Sequence, residues 1–488
     1  MKLILKYTTT LLLAGLLFTA CSKSYLEKAP YTANNLSTAI GNETDLKVAL
    51  SGTYSGIRAT DLFGRSLPVK GDLMADNVYL TTSNSGRYTT LNNFVFNNAD
   101  GYAQGLWSTA YTVIKYANTV ISSTLTSTPN IAQYQGEAYA IRALMHFELV
   151  RNFATPYTVD KTKPGIPIVT KYSQDALPAR NTVQEVYTQV IADLEKAYTM
   201  MTQYRGTAYF SKYAARALEA RVYQNMGDWP NALATSLDVI NNSGWTLLSA
   251  SAYVAPSGNA TINPSTYSPG GYWANPATQT STKNETLFEV SSDLPSNNGF
   301  DQIGFIYLTL GGGYGDLLVT PELANLYSAT DVRKGLVPVG IRSGQAGTVY
   351  QSYKYPNAAN ATDKDDVKVL RLSDIILIAA EAYYNAGDIV NDNLYLNKVA
   401  KQRDPSFLGY ADAGTAVLDD ILTERRKELA FEGSRFWDLV RLQRSWTKIK
   451  NQSPLTTVSV TPSNPALLYP IPVSETNANP NIAQNPGY

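Results

Sequence analysis

Cysteine and histidine are almost absent from this chain of 488 residues, which contains one of each. Disulfide frameworks, zinc sites built from cysteine and histidine, and Cys–His nucleophilic pairs all need more of these residues than the chain provides. The single histidine, His146, lies between Met145 and Phe147 in a helical pattern. We therefore interpret His146 as a hydrogen-bonded or half-exposed helical residue, and we predict no metal site and no cofactor.

The chain also lacks a net charge, because 40 lysine and arginine residues balance 40 acidic ones. A balanced chain carries neither the footprint of a nucleic-acid-binding protein nor that of a basic membrane-surface patch. What it has in excess is tyrosine, with 34 residues. Tyrosine has apolar faces and a polar tip, so it suits both the edges of a core and recognition surfaces.

Residues 1–20 are typical of a targeting segment. Lys2 and Lys6 precede an apolar run from Leu11 to Phe18, which is too short to span a bilayer. The only cysteine, Cys21, follows directly after Thr19-Ala20. This arrangement resembles a bacterial lipoprotein signal, in which Cys21 is lipidated and anchors a soluble body. An ordinary secretory peptide with a free cysteine is the alternative.

Residues 43–201 have helical periodicity in four stretches. We predict helices over residues 43–58, 105–124, 137–152 and 182–201, and we expect the first to pair with the second and the third with the fourth. Glu185 follows Thr182 by three residues, which predicts a capping box at the start of the fourth helix. Residues 61–101 are rich in polar residues and are predicted to form loops.

Two later stretches repeat one another. Ala220-Arg-Val-Tyr-Gln-Asn-Met-Gly227-Asp228 aligns with Ala380-Glu-Ala-Tyr-Tyr-Asn-Ala-Gly387-Asp388. In each, the glycine is predicted to end one helix in the left-handed conformation and the aspartate to cap the next. This pattern resembles tetratricopeptide repeats. With the earlier pairs it predicts a mainly α fold of about four helical hairpins, enough to stack a continuous core.

The segment between the repeats, residues 246–350, differs in composition and is predicted to be a loop-rich insert with short strands. Gly311-Gly-Gly-Tyr-Gly315 lacks the ending of a phosphate-binding loop and is interpreted as flexible backbone. Asp363-Lys-Asp-Asp366 lacks the glycine and glutamate of a calcium loop and is interpreted as a solvated turn. The composition of residues 467–488 suggests a mobile tail, although Tyr469-Pro-Ile-Pro472 is apolar enough to pack.

Residues 423–441 combine charges of both signs with bulky apolar residues. Glu424, Glu428, Arg435 and Asp438 alternate with Leu429, Phe431, Phe436 and Trp437. The break at Gly433 predicts two helices that meet at a corner, with ion pairs partly buried between them. A catalytic role for these carboxylates is the alternative, and we favour the scaffold because each acid has an arginine within helical reach.

The whole chain resembles the SusD/RagB-like lipoproteins of Bacteroidetes nutrient-uptake systems. The matching motifs run in order along the sequence: Cys21 with Tyr25-Leu26-Glu27, Arg142 to Phe153 with Pro156, Pro321-Glu-Leu, Asp331-Val-Arg333, Leu370-Arg371-Leu-Ser-Asp-Ile, Glu424-Arg425-Arg426 to Asp438, Tyr469-Pro-Ile-Pro472, and Gln484-Asn485-Pro486-Gly487-Tyr488. By this resemblance we divide the mature chain into residues 21–245, 246–350 and 351–488.

The resemblance implies a helical fold of four tetratricopeptide-like hairpins with a loop-rich part that carries the ligand face. It implies a protein without catalytic activity at the outer membrane, which closes like a lid over a SusC-like TonB-dependent transporter. Its ligand is expected to be a glycan, or a peptide in some members. Lys23 precedes the first acid, Glu27, so orientation toward the cell exterior is implied by the family and not by the residues after Cys21.

The binding candidates are our own interpretation, since none of the shared motifs is a ligand motif. A sugar site needs aromatic faces for the rings and polar side chains for the hydroxyls. Two loops offer both, and the candidates are Asp76, Asn77, Tyr79, Arg87 and Tyr88 in the first and Tyr267, Tyr272, Trp273 and Tyr314 in the second.

Four hypotheses for function follow. The leading one is a lipoprotein that captures an oligosaccharide or polysaccharide for the transporter. The second keeps the fold and makes the ligand a peptide. The third is a glycoside hydrolase, which needs two carboxylates about 5 to 10 Å apart, and the fourth is a repeat scaffold with no small ligand.

Overall fold

The computed structural model describes residues 40–173, 175–254, 269–274, 285–293, 296–345, 347–360, 364–452 and 455–488. The predicted lipidation site Cys21 and the candidate Tyr267 lie outside these ranges. The described residues are mainly α-helical, with short strands, as predicted. Among them, no helix combines the length and the apolarity that crossing a bilayer requires.

The four predicted N-terminal helices are confirmed, together with their pairing. They are α1 (Glu43–Ile57), α4 (Gly101–Ile121), α5 (Pro129–Phe153) and α7 (Val183–Met200), with α1 packed on α4 and α5 on α7. Two of them begin earlier than predicted because Asp100 and Thr128 cap them. The capping box of Thr182 and Glu185 is present.

Residues 61–101 form more regular structure than predicted. They contain α2 (Ser66–Leu73), β1 (Val78–Leu80) and α3 (Thr89–Asn93). Every residue of α2 is buried. A helix that is buried on all sides has no polar face, so it shows no amphipathic period. The prediction of loops was therefore wrong for this segment.

The two repeats form matching hairpins, as predicted. The first is α8 (Lys212–Met226) with α9 (Trp229–Asn242), and the second is α14 (Leu372–Asn385) with α15 (Ile389–Arg403). Gly227 and Gly387 have φ angles of 71° and 73°, which non-glycine residues rarely adopt. The backbone N–H of the following aspartate donates to the carbonyl of Tyr223 or Tyr383, 3.0 Å away in both cases.

The described strands form three small antiparallel sheets, and two of these sheets tie the insert to the rest of the molecule. β1 pairs with β3 (Leu317–Val319), which continues through β5 (Val349–Tyr350) to β4 (Val339–Gly340). β2 (Thr286–Val290) pairs with β6 (Val367–Arg371), and β7 (Trp446–Gln452) pairs with β8 (Leu455–Val460). The insert thus shares one sheet with the N-terminal region and another with the C-terminal region.

Short helices complete the described part of the chain. They are α6 (Tyr157–Asp160), α10 (Ala250–Tyr253), α11 (Gly271–Ala274), α12 (Gly304–Tyr307), α13 (Pro321–Ala324), α16 (Ala416–Glu428), α17 (Arg435–Arg441) and α18 (Val473–Ala478). Single 3₁₀ turns occur at Gly299–Asp301, Leu310–Gly312, Val332–Leu336 and Pro465–Leu467.

The corner between α16 and α17 is present as predicted, and it packs against α2. Gly433 has a φ angle of 78°. A Cβ atom on Gly71 of α2 would lie 2.0 Å from the carbonyl oxygen of Gly433. Both positions therefore require glycine, one for its backbone conformation and the other for the close approach of α2.

The C-terminal tail is packed, so the mobility that its composition suggests was a wrong expectation. Tyr469 and Ile471 are buried, in line with the apolar character of that stretch. The backbone N–H of Tyr469 donates to the carbonyl of Asn152, and the Asn485 side chain donates to the carbonyl of Phe153. The end of α5 is thereby held by the last residues of the chain.

Candidate functional site

The charges of residues 423–441 belong to a network whose centre, around Glu428, is buried. Glu428 accepts hydrogen bonds from Arg333, Arg371 and Arg403, and all four side chains are buried. Burial alone raises the pKa of Glu428, but the three guanidinium groups outweigh it and hold that pKa well below its ordinary value. Glu428 is therefore a permanently ionised scaffold residue.

The same network extends along α16 and α17. Arg425 bridges Asp374 and Asp438, and Arg441 bridges Asp438 and Glu381, each at 2.6 to 2.9 Å. These ion pairs are buried, whereas the sequence predicted that they are only partly buried. The source of the partners also differs from the prediction, because the arginines that hold Glu428 come from distant segments and not from neighbouring turns of the same helix.

Two of the predicted ligand residues, Asp76 and Asn77, belong to this scaffold. Arg435 does not pair with Asp438; its guanidinium contacts both carboxylate oxygens of Asp76 at 2.9 and 3.0 Å. The Asn77 amide donates to Asp72 and accepts from Arg426. Their polar groups are therefore used within the fold, and assigning them to a ligand was wrong.

Tyr272 and Trp273 were also wrong as ligand residues, because both are 2% exposed. The Tyr272 hydroxyl lies 2.5 Å from the Thr286 hydroxyl. The ring of Trp273 lies 4.4 Å from the Lys354 ammonium and 5.4 Å from the Arg371 guanidinium. Its face therefore covers buried cations and is not free to stack on a ligand.

Tyr79 and Tyr88 are buried as well, so they do not present a face to solvent. Tyr79 packs in a small core with Leu318, Val349 and Ile449. The ring of Tyr88 stacks on Tyr102 at 4.8 Å. Assigning Tyr79 and Tyr88 to a ligand was therefore wrong.

Arg87 and Tyr314 are the two candidates that the fold brings together at the surface. The Arg87 guanidinium carbon lies 3.8 Å from the centre of the Tyr314 ring. Arg87 comes from the loop after β1, and Tyr314 from the glycine-rich stretch before β3. β1 and β3 are paired antiparallel, with the end of β1 opposite the start of β3. The two loops therefore leave the same end of the strand pair and meet.

Phe300 and Asp301 complete this surface, although neither was among the predicted residues. Phe300 is 63% exposed and its ring lies 5.1 Å from that of Phe305. The Asp301 side chain is 52% exposed; its carboxylate contacts Arg65 at 2.5 Å and lies 4.0 Å from Arg87. We call Arg87, Phe300, Asp301 and Tyr314 the Arg87–Tyr314 surface.

The aromatic content of the insert was a usable signal for Phe300, but no sequence signal singles out Asp301.

Polar side chains hold the loops beneath the Arg87–Tyr314 surface. The carboxylate of Asp316 accepts from the backbone N–H and the hydroxyl of Ser85. The Arg342 guanidinium donates to the carbonyls of Tyr314, Gly315 and Ser83. Gly311-Gly-Gly-Tyr-Gly315, which was interpreted as flexible backbone, is thus pinned at its end by a third loop.

His146 is hydrogen-bonded, as predicted, and it is fully buried. Its Nε2 accepts from the backbone N–H of Val169 at 3.3 Å. Burial, together with nearby Arg142, lowers the pKa of His146 to about 3. The ring is therefore neutral at physiological pH.

Comparison with known proteins identifies the family of this chain. Residues 24–224 match a SusD-like family model described as starch-binding associating with outer membrane, and residues 338–488 match the SusD family model. The chain belongs to the SusD-like family. The recognition made from the sequence motifs is thereby confirmed.

Relatives align over almost the full length of the chain. SusD-like protein P2 of Formosa agariphila is 25% identical, over 99% of this chain and 100% of the relative. A SusD-like protein of Bacteroides ovatus is 25% identical, over 87% of this chain and 80% of the relative.

Solved structures share the fold. A putative sugar binding protein from Bacteroides vulgatus is 28% identical, with a TM-score of 0.78 over 92% of this chain and 100% of that chain. A SusD superfamily protein from Bacteroides thetaiotaomicron is also 28% identical, with a TM-score of 0.78 over 91% of this chain and 100% of that chain.

Proposed function

We propose that this chain is a glycan-binding protein without catalytic activity, and that it captures an oligosaccharide or polysaccharide at the Arg87–Tyr314 surface. The observation that carries the proposal is the exposed ring of Phe300 beside the half-exposed charges of Arg87 and Asp301. The family description as starch-binding and the likeness to a putative sugar binding protein support the same class of ligand.

The chemistry of the surface suits a sugar ring. The apolar face of a pyranose packs on an aromatic ring, and Phe300 offers such a ring with most of its area exposed. The hydroxyls at the edge of the sugar need donors and acceptors within hydrogen-bond distance. Arg87, which lies over the ring of Tyr314, supplies donors, and Asp301, the neighbour of Phe300 in the chain, supplies acceptors.

Binding without chemistry is supported by what the nearby carboxylates do. Glycoside hydrolysis requires one carboxylic acid to donate a proton and a second carboxylate to act as base or nucleophile. The carboxylate of Asp301 is engaged in an ion pair with Arg65 at 2.5 Å. Asp316 is buried and occupied by Ser85. Each acid therefore has a role in holding the loops.

We further propose that the protein is anchored at the outer membrane through a lipid on Cys21, faces the cell exterior, and delivers its glycan to a SusC-like TonB-dependent transporter as a lid. The lipoprotein signal in the sequence and the outer-membrane association in the family description support this location. Co-purification of the full-length protein with the transporter from outer membranes is expected, and a Cys21→Ser variant is expected in a soluble fraction.

A glycan panel tests the binding proposal. We expect calorimetry to detect binding of at least one soluble polysaccharide, and Phe300→Ala to weaken it by about 1 to 3 kcal/mol, the range for loss of a stacked aromatic platform. Trp273→Phe, which changes a buried ring, is the matched control and should leave the affinity of the folded protein unchanged.

Two outcomes would contradict the proposal. One is binding of peptides with no response to any glycan, which would assign the surface to a peptide ligand. The other is release of shorter sugars from a bound polysaccharide, which would make the protein a hydrolase.

A further inference from the structure

A second recess lies between the two repeat hairpins, and the proposed glycan surface does not include it. The recess has a volume of about 480 Å³, within the range of about 300 to 1,000 Å³ that is usual for ligand pockets. We call it the hairpin groove. It is lined by residues from the end of α9 and the chain that follows it, from α14, and from α15: Ile240, Trp245, Thr246, Leu247, Leu372, Ile376, Asn397, Lys398, Lys401 and Gln402.

The floor of the hairpin groove is apolar and firmly held. Leu372 and Ile376, one helical turn apart on α14, are almost fully buried. Trp245 forms one wall, and its indole N–H donates to the carbonyl of Thr286 at 2.8 Å. Aliphatic side chains form most of this floor, so it suits a branched aliphatic side chain better than the flat face of a sugar.

The rim of the hairpin groove is cationic. Lys398 and Lys401 are exposed on one face of α15, and none of the described residues that line the groove is acidic. The Lys398 ammonium lies 3.9 Å from the centre of the Tyr395 ring. Among the described residues, neither lysine forms an ion pair, whereas the arginines of the buried network are all paired. The groove therefore presents two uncompensated positive charges.

The remaining polar groups of the rim are already used. The side-chain amide of Asn397 donates to the carbonyl of Tyr410 and accepts from its N–H. The Gln402 amide donates to the carbonyl of Leu248 at 3.0 Å. A neutral sugar would find few free partners for its hydroxyls here, whereas a carboxylate would find two ammonium groups.

We propose that the hairpin groove docks an acidic segment of a partner protein, in which an aliphatic side chain fills the floor and flanking aspartate or glutamate side chains pair with Lys398 and Lys401. Complementarity of charge and of apolar shape at one site carries the proposal. The site is separate from the Arg87–Tyr314 surface, so it gives the protein a second binding role.

The test uses the full mature protein and a labelled pentapeptide of alternating aspartate and leucine, with fluorescence anisotropy as the readout. We expect saturable binding that weakens about tenfold in the doubly substituted variant Lys398→Glu, Lys401→Glu, since two favourable charge contacts become repulsive. The matched control, Lys47→Glu with Lys196→Glu, reverses two exposed lysines on α1 and α7 and should change the affinity less than about twofold.

Two further probes separate the apolar contribution from the charge. A peptide in which glycine replaces leucine should bind at least about tenfold more weakly if the floor takes an aliphatic side chain. Phe300→Ala should leave binding of the aspartate–leucine peptide unchanged, so failure of this proposal is distinguishable from failure of the glycan proposal.

The proposal is overturned if the Lys398 and Lys401 variant binds the peptide as well as its control does. It is also overturned if a lysine–leucine peptide binds equally well, or if the aspartate–leucine peptide does not bind. Binding of an acidic oligosaccharide or of anionic phospholipid vesicles in place of the peptide would assign the groove to that ligand.

Discussion

The buried network around Glu428 and the Arg87–Tyr314 surface are made of the same kinds of side chain, yet burial gives them different roles. In each, guanidinium groups lie against aromatic rings and carboxylates: Arg371 is 5.4 Å from Trp273, and Arg87 is 3.8 Å from Tyr314. The Glu428 carboxylate is fully buried among three arginines, whereas half of the Asp301 side chain reaches solvent.

This difference decides what each region can do. A buried charge that loses its partner cannot regain water, so the network penalises every packing that separates its members. Exposed charges exchange one hydrogen-bond partner for another at little cost. Arg87 and Asp301 can therefore trade water for the hydroxyls of a ligand, and Glu428 cannot.

The largest expected effect is in the buried network around Glu428. Glu428→Gln removes the charge shared by Arg333, Arg371 and Arg403, and it should lower the free energy of unfolding by about 3 to 5 kcal/mol. Urea unfolding followed by circular dichroism measures this loss. Asp301→Asn removes a half-exposed charge and leaves Arg65 a neutral acceptor, so it should cost less, about 1 kcal/mol. Equal losses in the two variants would remove the distinction between the regions.

A buried neutral group gives the next effect, a dependence of stability on pH. His146 has a pKa of about 3 in the fold against 6.5 ordinarily. Between these values the unfolded chain binds a proton that the folded chain excludes, so stability falls as pH drops below 6.5, by about 1.4 kcal/mol per pH unit.

His146→Gln keeps an acceptor for the N–H of Val169 and cannot take up the proton. Subtracting its free energy of unfolding from that of the wild type at pH 7, 6 and 5 isolates the histidine contribution, because other titrating groups cancel. We expect this difference to shift steadily in favour of the variant as the pH falls. Parallel profiles would show that His146 titrates normally and is not sealed in the core.

The smallest expected effect is a loss of glycan affinity at the exposed Arg87–Tyr314 surface. Arg87→Gln retains polar donors but loses the charge over Tyr314, and it should weaken glycan binding by about 1 kcal/mol. The unfolding temperature should stay the same. Titration with the glycan identified in the panel provides the measurement, and Arg216→Gln, at the α8–α9 hairpin, is a control that should bind normally.

Local features of the fold could be predicted from the sequence, and distant partnerships could not. Gly227 with Asp228 and Gly387 with Asp388 set their helix ends through bonds to residues no more than five positions away, so the hairpins follow from the sequence alone. Arg435 and Asp76 are 359 positions apart. No spacing rule connects them, and Asp76 was therefore assigned to a ligand site instead of to the scaffold.

The candidate site shows the same limit. Trp273 lies in a stretch whose glycine and serine content suggests exposure, but its ring is needed to cover Lys354 and Arg371, and only the fold brings those cations together. Arg87 and Tyr314 were chosen for their residue types, and the pairing of β1 with β3 then placed them side by side. Phe300 shares that residue type, and only its exposure in the fold sets it apart from the buried aromatic residues around it.

Glycan affinity and unfolding temperature, measured on one preparation of the double variant Phe300→Ala, Tyr314→Ala, test the central claim most directly. We expect the affinity to fall by about 2 to 4 kcal/mol, because the variant loses the exposed ring of Phe300 and the ring that positions Arg87, while the unfolding temperature changes by only a few degrees. Unchanged affinity in this variant, or a loss of affinity that merely follows a collapse of the fold, would contradict the assignment of the Arg87–Tyr314 surface.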